Sequence, residues 1–81
     1  MRIKILADGR GLEGTAEQIV QQMQYLAFGQ EDRSMSEYVD WLSGQLERMQ
    51  NISIKIDGES GPEKARSLVK AMFENGLAEK M

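Results

Sequence analysis

The sequence predicts one small α+β domain, because strand-like and helix-like patterns alternate within only 81 residues. Residues 2–7 and 52–57 alternate apolar with polar side chains, as half-buried strands do. Three longer runs repeat apolar residues at the spacing of a helix, and they cover residues 16–28, 35–50 and 62–75. A short strand returns over residues 10–14, so the predicted order of elements is ββααβα.

The first two strands are predicted to form a hairpin around Asp8 and Gly9, a dipeptide that favours a type I′ turn. Pairing outward from this turn sets Ile5 opposite Leu12, and the next pair brings two opposite charges together. An apolar pair then lies on one face and a charge pair on the other, an arrangement that stabilises an antiparallel ladder.

The three helices carry residues that favour helix starts. Thr15 and Gln18 form a capping box before the first helix, in which two side chains bind N–H groups of the first turn. Ser34 and Glu37 repeat this pattern before the second helix. Pro62 suits the first turn of the third helix, since that position needs no N–H. The second helix has one apolar stripe, which comprises Met35, Tyr38, Val39, Leu42, Leu46 and Met49.

Residues 52–57 are predicted to be the third strand, because three isoleucines recur there at period two. Alternating chain direction makes this strand parallel to the first, so we expect a three-stranded sheet of order 2-1-3 with helices on its isoleucine face. Such a sheet is about 14 Å wide, and helices pack roughly 8–10 Å apart. One helix must therefore lie at an edge, in a further layer or against another subunit. Residues 78–81 are expected to fray.

Composition excludes several kinds of chemistry. Without cysteine or histidine, the chain cannot form the usual zinc sites or the Ser-His-Asp and Cys-His nucleophiles. Ten basic and 13 acidic residues give a net charge of −3, which predicts no general attraction to nucleic-acid phosphates. Ser67 and Lys70 spell the S-x-x-K of some acyl-transfer enzymes, but on a helix face predicted to lie in solvent. We therefore predict a non-enzymatic protein without cofactor or metal.

Three glycines spell the dinucleotide-binding pattern G-x-G-x-x-G at Gly9, Gly11 and Gly14. The pattern needs its last glycine inside the helix, whereas Thr15 is predicted to cap the helix and leaves Gly14 before it. A chain of 81 residues is also too short for a doubly wound sheet. A hairpin turn is the favoured interpretation, with a nucleotide loop as the alternative.

Three aromatic residues are the candidate protein interface: Trp41, Phe28 and Tyr25. Tyr25 is predicted opposite the apolar stripe of its helix, and the other two lie on helix flanks. Aromatic residues are enriched where proteins meet, so a protein partner or a second copy of the chain would cover them. A tryptophan at the edge of an apolar stripe most often forms the rim of the core, and this interpretation of Trp41 stays open beside the interface.

A second candidate surface is basic. Arg2, Lys4 and Lys55 are predicted to share the outer face of the sheet, with Arg10 near its edge. Such a face binds RNA when aromatic side chains stack the bases, and none is predicted here. The favoured function is therefore a small non-catalytic protein–protein interaction module, with homodimerisation as one form of it. A nucleic-acid-associated accessory protein is the alternative.

The absence of cysteine and of any run of about 20 apolar residues predicts a cytoplasmic protein that does not associate with membranes. The opening, a strand followed by Asp8-Gly9 and then a polar amphipathic helix, is similar to the openings of many small bacterial and phage proteins. This similarity covers about a third of the chain and implies no particular activity.

Overall fold

Three helices and a three-stranded sheet make up the computed structural model, which describes residues 1–27 and 29–81. The α+β class predicted from the sequence is confirmed, but the elements follow the order ββαααβ. In chain order they are β1 (Arg2–Ile5), β2 (Arg10–Glu13), α1 (Ala16–Leu26), α2 (Met35–Gln50), α3 (Gly61–Glu74) and β3 (Ala78–Lys80).

The sheet has the predicted order β2-β1-β3, with a different third strand. β3 comes from the C-terminal residues that were expected to fray, and it pairs with β1 antiparallel. The prediction of a third strand parallel to the first is therefore wrong, and residues 52–57 form no ladder in the described part of the chain. The strong β propensity of those isoleucines does not decide which strands pair, because the preceding part of the chain must also place the strand next to β1.

The C-terminal cap of α3 places β3 beside β1. Gly76 adopts a φ of 69°, its N–H donates to Phe73 O at 3.3 Å, and the N–H of Leu77 donates to Met72 O at 2.8 Å. These two bonds are the Schellman motif that the Asn75-Gly76-Leu77 sequence predicts. The motif reverses the chain into β3, so that Ala78 faces Ile5 of β1.

The hairpin is shifted from its predicted register by two residues. Leu12 pairs with Ile3, where Ile5 was expected, because the turn takes four residues, 6–9. The N–H of Gly9 donates to Ile5 O at 2.8 Å, and Gly9 has a φ of 72° that favours glycine. A shift of two residues leaves every side chain on its predicted face, since a strand has period two.

Both predicted capping boxes are present. The N–H of Thr15 donates to Gln18 Oε1 at 2.9 Å, and the N–H of Ser34 donates to Glu37 Oε1 at 3.1 Å. In each box the N3 backbone N–H returns a bond to the capping hydroxyl. α2 has the predicted bounds, whereas α1 ends two residues earlier than predicted and α3 lies one residue earlier at both ends.

The core lies between the sheet and the helices. α1 and α3 pack on strands and on each other, and α2 packs on both helices. α2 is therefore the helix that does not fit on the sheet. It occupies a further layer, one of the three positions that the width of the sheet allowed. The largest completely buried side chains come from all these layers: Ile3, Ile19, Val20, Val39 and Leu68.

Candidate protein interface

Two residues of the predicted aromatic interface are described, Tyr25 on α1 and Trp41 on α2. Trp41 is half-buried, packs against the core and stacks on Tyr38 with ring centroids 5.9 Å apart. Tyr25 is 83% exposed on α1, and it borders a groove that includes Gln21 and Leu26. Phe28 lies outside the described residues. The surroundings of Trp41 fit the rim of the core, the place where a tryptophan at the edge of an apolar stripe is most often found.

The predicted basic face is not basic. Arg2 lies 3.6 Å from Glu13, and Lys4 stands opposite Glu79 in the sheet register. Arg10 is likewise 3.6 Å from a carboxylate, that of Asp8. The prediction that Lys55 lies on this face is wrong, since residues 52–57 are outside the sheet. Acidic neighbours and the lost lysine leave the face with mixed charge.

Two glycines of the G-x-G-x-x-G pattern belong to the hairpin, and the third is the residue before the cap of α1. Gly9 lies in the turn, Gly11 lies within β2, and Gly14 precedes the cap of α1. A Cβ atom on Gly14 would lie 2.6 Å from Gln18 Oε1, so glycine is required for the capping box. A strand therefore occupies the positions that a phosphate loop would need.

Two ionisable groups have shifted pKa values, and structure explains both. The backbone N–H and hydroxyl of Ser34 hydrogen-bond the Glu37 carboxylate and hold its pKa below the ordinary 4.5. Burial raises the pKa of Tyr38 to about 12. The described residues contain no group of three or more acidic side chains that could hold a metal ion. No helix among them has the length and apolarity needed to cross a membrane.

The second half of α2 has apolar side chains that the core does not cover. Val39 is completely buried and Leu42 packs against the core, as the predicted stripe requires. Leu46 is only half-buried, and Met49 is 78% exposed. The stripe is thus correct for the first half of the helix, and its last turns extend past the core.

α2 ends at a single residue in the left-handed conformation, Asn51. Asn51 caps the helix with a φ of 55°, the left-handed conformation that asparagine tolerates. The carbonyl of Leu46 accepts from the N–H of Asn51 and, at 3.2 Å, from the N–H of Ile52. The next residues therefore leave the end of α2 in a fixed direction.

Residues 52–57, here called the extended segment, keep the alternation that predicted a strand. Ile52, Ile54 and Ile56 are half-buried, whereas the residues between them are exposed. Only the last of the three isoleucines packs against the core cluster in the described part of the chain. The far end is held by Ser67 of α3, whose Oγ accepts from the N–H of Asp57 at 2.9 Å. This anchoring role of Ser67 has no signature in the sequence.

The backbone between these two anchors makes no hydrogen bond within the part of the chain that the structure describes. Within residues 1–27 and 29–81, no N–H and no carbonyl of Ser53, Ile54, Lys55 or Ile56 makes a hydrogen bond. Buried backbone polar groups are nearly always paired, but these four residues are exposed or half-buried, so their N–H and carbonyl groups are open to water and to a partner strand. The extended segment has the apolar–polar alternation and the alternating exposure of an edge strand, and no strand lies beside it in the described part of the chain.

The comparisons assign no relative: no protein-family model, curated protein or solved structure matches the chain.

Proposed function

We propose that the protein is a small non-catalytic protein-interaction module that binds its partner by pairing the extended segment with a strand of that partner. One observation carries the proposal: among the described residues, the backbone of residues 53–56 makes no hydrogen bond, although both ends of the segment are anchored. Strand addition uses such an edge, in which main-chain hydrogen bonds contribute affinity and alternate side chains contribute specificity.

The isoleucines supply the second requirement of strand addition. Ile52, Ile54 and Ile56 point to one side and are only half-buried, so a partner strand can cover more of them. Two further apolar side chains that the core does not cover, Leu46 and Met49, lie just before the segment in the chain. Aliphatic side chains at the centre with charged side chains around them are typical of binding surfaces.

The expected affinity is modest. A net backbone hydrogen bond contributes about 0.5–1.5 kcal/mol, so four contribute about 2–6 kcal/mol. Association itself costs about 4–15 kcal/mol, and apolar contact must supply the difference. A short segment is also well below the roughly 20–30 residues a side of a standard interface. We therefore expect a dissociation constant in the micromolar range or weaker.

A photocrosslinking experiment tests the proposal without knowledge of the partner. A photoreactive phenylalanine analogue replaces Lys55 in one variant and Gln21, exposed on α1, in the control. Irradiation of the purified protein, and of the protein in an extract of its source cells, should give adducts from position 55 and none from position 21. Absence of adducts at position 55 in both samples, with the fold intact by circular dichroism, would refute the proposal.

The cytoplasmic location and the lack of catalytic activity remain predictions from composition. No observation on the sheet face favours the nucleic-acid alternative, because its basic residues lie beside acidic ones.

A further inference from the structure

We infer that the strand paired with the extended segment is the same segment of a second copy, antiparallel and centred on Ile54; this inference rests on the proposed function. A two-fold axis through Ile54 would set Ile54 opposite its own copy and Ile52 opposite the partner's Ile56. Closed two-fold dimers are the commonest protein oligomers, and their interfaces must be self-complementary. The sequence Asn51–Asp57 meets that condition.

The isoleucines select this register. Directly opposite side chains of two antiparallel strands lie on the same face of the pair. Isoleucine therefore stays opposite isoleucine, and polar opposite polar, only when the two-fold axis passes through a residue and not between two residues. Centring on Ile54 produces three isoleucine pairs. Centring on Ser53 or Lys55 produces two, and centring on Ile56 produces one. A dimer centred on Ile54 therefore covers the most apolar surface.

Charge selects the same register. With Ile54 on the axis, Lys55 lies opposite the partner's Ser53, and Asp57 lies opposite the partner's Asn51. No like charges then face each other directly. A slip that centres the pair on Lys55 would place two lysines opposite each other, which is unfavourable. The segment also carries one lysine and one aspartate, so two copies have no net charge with which to repel.

The unpaired backbone fits the dimer on either edge of the segment. On the edge of Ser53 and Lys55, each N–H donates to the partner's carbonyl, which makes four hydrogen bonds. On the other edge, the N–H groups of Ile54 and Ile56 donate in each copy, which also makes four hydrogen bonds. The N–H of Ile52 is not counted, because it already donates to Leu46 O. Neither arrangement disturbs the anchors at the two ends.

Two opposite charges at position 53 test the register. Ser53→Glu would face Lys55 of the second copy twice across the axis, and Ser53→Lys would place lysine opposite lysine twice. Sedimentation equilibrium from about 1 μM to 1 mM at low ionic strength measures both variants beside the unaltered protein. Gln21→Glu, at an exposed site on α1, controls for added negative charge, and thermal melts by circular dichroism check folding.

The expected result is a dimer that Ser53→Glu tightens about two- to thirtyfold and Ser53→Lys weakens by a similar factor. Net repulsion alone predicts the reverse, because glutamate increases the magnitude of the charge of −3 and lysine decreases it. The other registers also predict the reverse or no gain: glutamate at position 53 would face Asp57, Glu59 or itself in the second copy. Gln21→Glu should leave the dimer unchanged.

Two results would overturn the inference. If Ser53→Glu weakens the dimer, or if both variants act alike, the register is wrong. If the unaltered protein stays monomeric to about 1 mM, the second copy is not the partner. Adducts from position 55 to a different protein would then support the interaction module and contradict self-pairing. The absence of any adduct would contradict both the interaction module and self-pairing.

Discussion

A proline substitution in β3 tests whether the C-terminal residues complete the sheet. The N–H of Leu6 donates to Leu77 O, and the N–H of Met81 donates to Arg2 O, each at 3.0 Å. In an antiparallel ladder the bonding residues alternate, so Glu79, midway between these bonds, also directs its N–H to β1. Glu79→Pro removes this donor.

The neighbouring position is a matched control. The N–H of Lys80 points away from β1, by the same alternation, and an edge strand tolerates proline where its N–H faces solvent. Loss of the Glu79 donor leaves a carbonyl of β1 unpaired, which costs about 1–3 kcal/mol. For 81 residues the whole free energy of unfolding is about 4–12 kcal/mol. We therefore expect Glu79→Pro to cost about 2 kcal/mol and Lys80→Pro less than about 0.5 kcal/mol.

Urea denaturation and thermal melts provide the assay. A loss of about 2 kcal/mol corresponds to a fall in Tm of about 8–16 °C for a domain of this size. Glu79→Ala should keep most of the stability, because it removes the carboxylate but leaves the N–H. Equal effects of the two proline variants, or no effect of either, would show that β3 does not pair with β1 as described.

Three other predictions concern the core and the caps. Leu68→Ala, at a completely buried site, should cost about 2–5 kcal/mol in urea denaturation. Ser34→Ala should cost about 1 kcal/mol. In the same capping box, Glu37→Gln should flatten the acid limb of stability, because the lowered pKa of Glu37 stabilises the fold above its ordinary 4.5 and this contribution is lost as the pH falls through the folded-state value. Tyr38, with a folded-state pKa of about 12 against an ordinary 10.0, should make the free energy of unfolding fall between pH 10 and 12, and Tyr38→Phe should lack this slope.

Each of these has a contrary result. An unchanged urea midpoint for Leu68→Ala would contradict its place in the core. A Glu37→Gln variant with the same acid limb as the parent would mean that the lowered pKa of Glu37 does not contribute to that limb. If the free energy of unfolding of Tyr38→Phe still falls between pH 10 and 12, a group other than Tyr38 causes the fall.

Local rules predict the helices of this chain well, because their causes lie within a few residues. The capping boxes at Thr15 and Ser34 and the glycine cap after α3 depend on side chains three residues away or nearer. Alternation also identified the buried face of β1, and a register slip of two residues preserved it. These predictions needed no knowledge of the tertiary structure.

Strand pairing could not be predicted, because it depends on distant parts of the chain. Ala78–Lys80 has weak β propensity, but α3 and its Schellman motif place it beside β1. The isoleucines of the extended segment have strong propensity, but the anchors at Leu46 and Ser67 hold them away from the sheet. The same limit applies to Gln24, which is buried and binds two loop carbonyls although nothing in its spacing marks it.

Amide hydrogen exchange by NMR at increasing protein concentration tests the central claim most directly. In the single chain the amides of Ser53, Ile54, Lys55 and Ile56 should exchange fast, whereas that of Glu79 should be protected at every concentration. Formation of the dimer should protect two alternate amides of the four, either Ser53 with Lys55 or Ile54 with Ile56. Exchange rates at these four residues that stay fast and independent of concentration up to about 1 mM would contradict the pairing of the extended segment with a second copy.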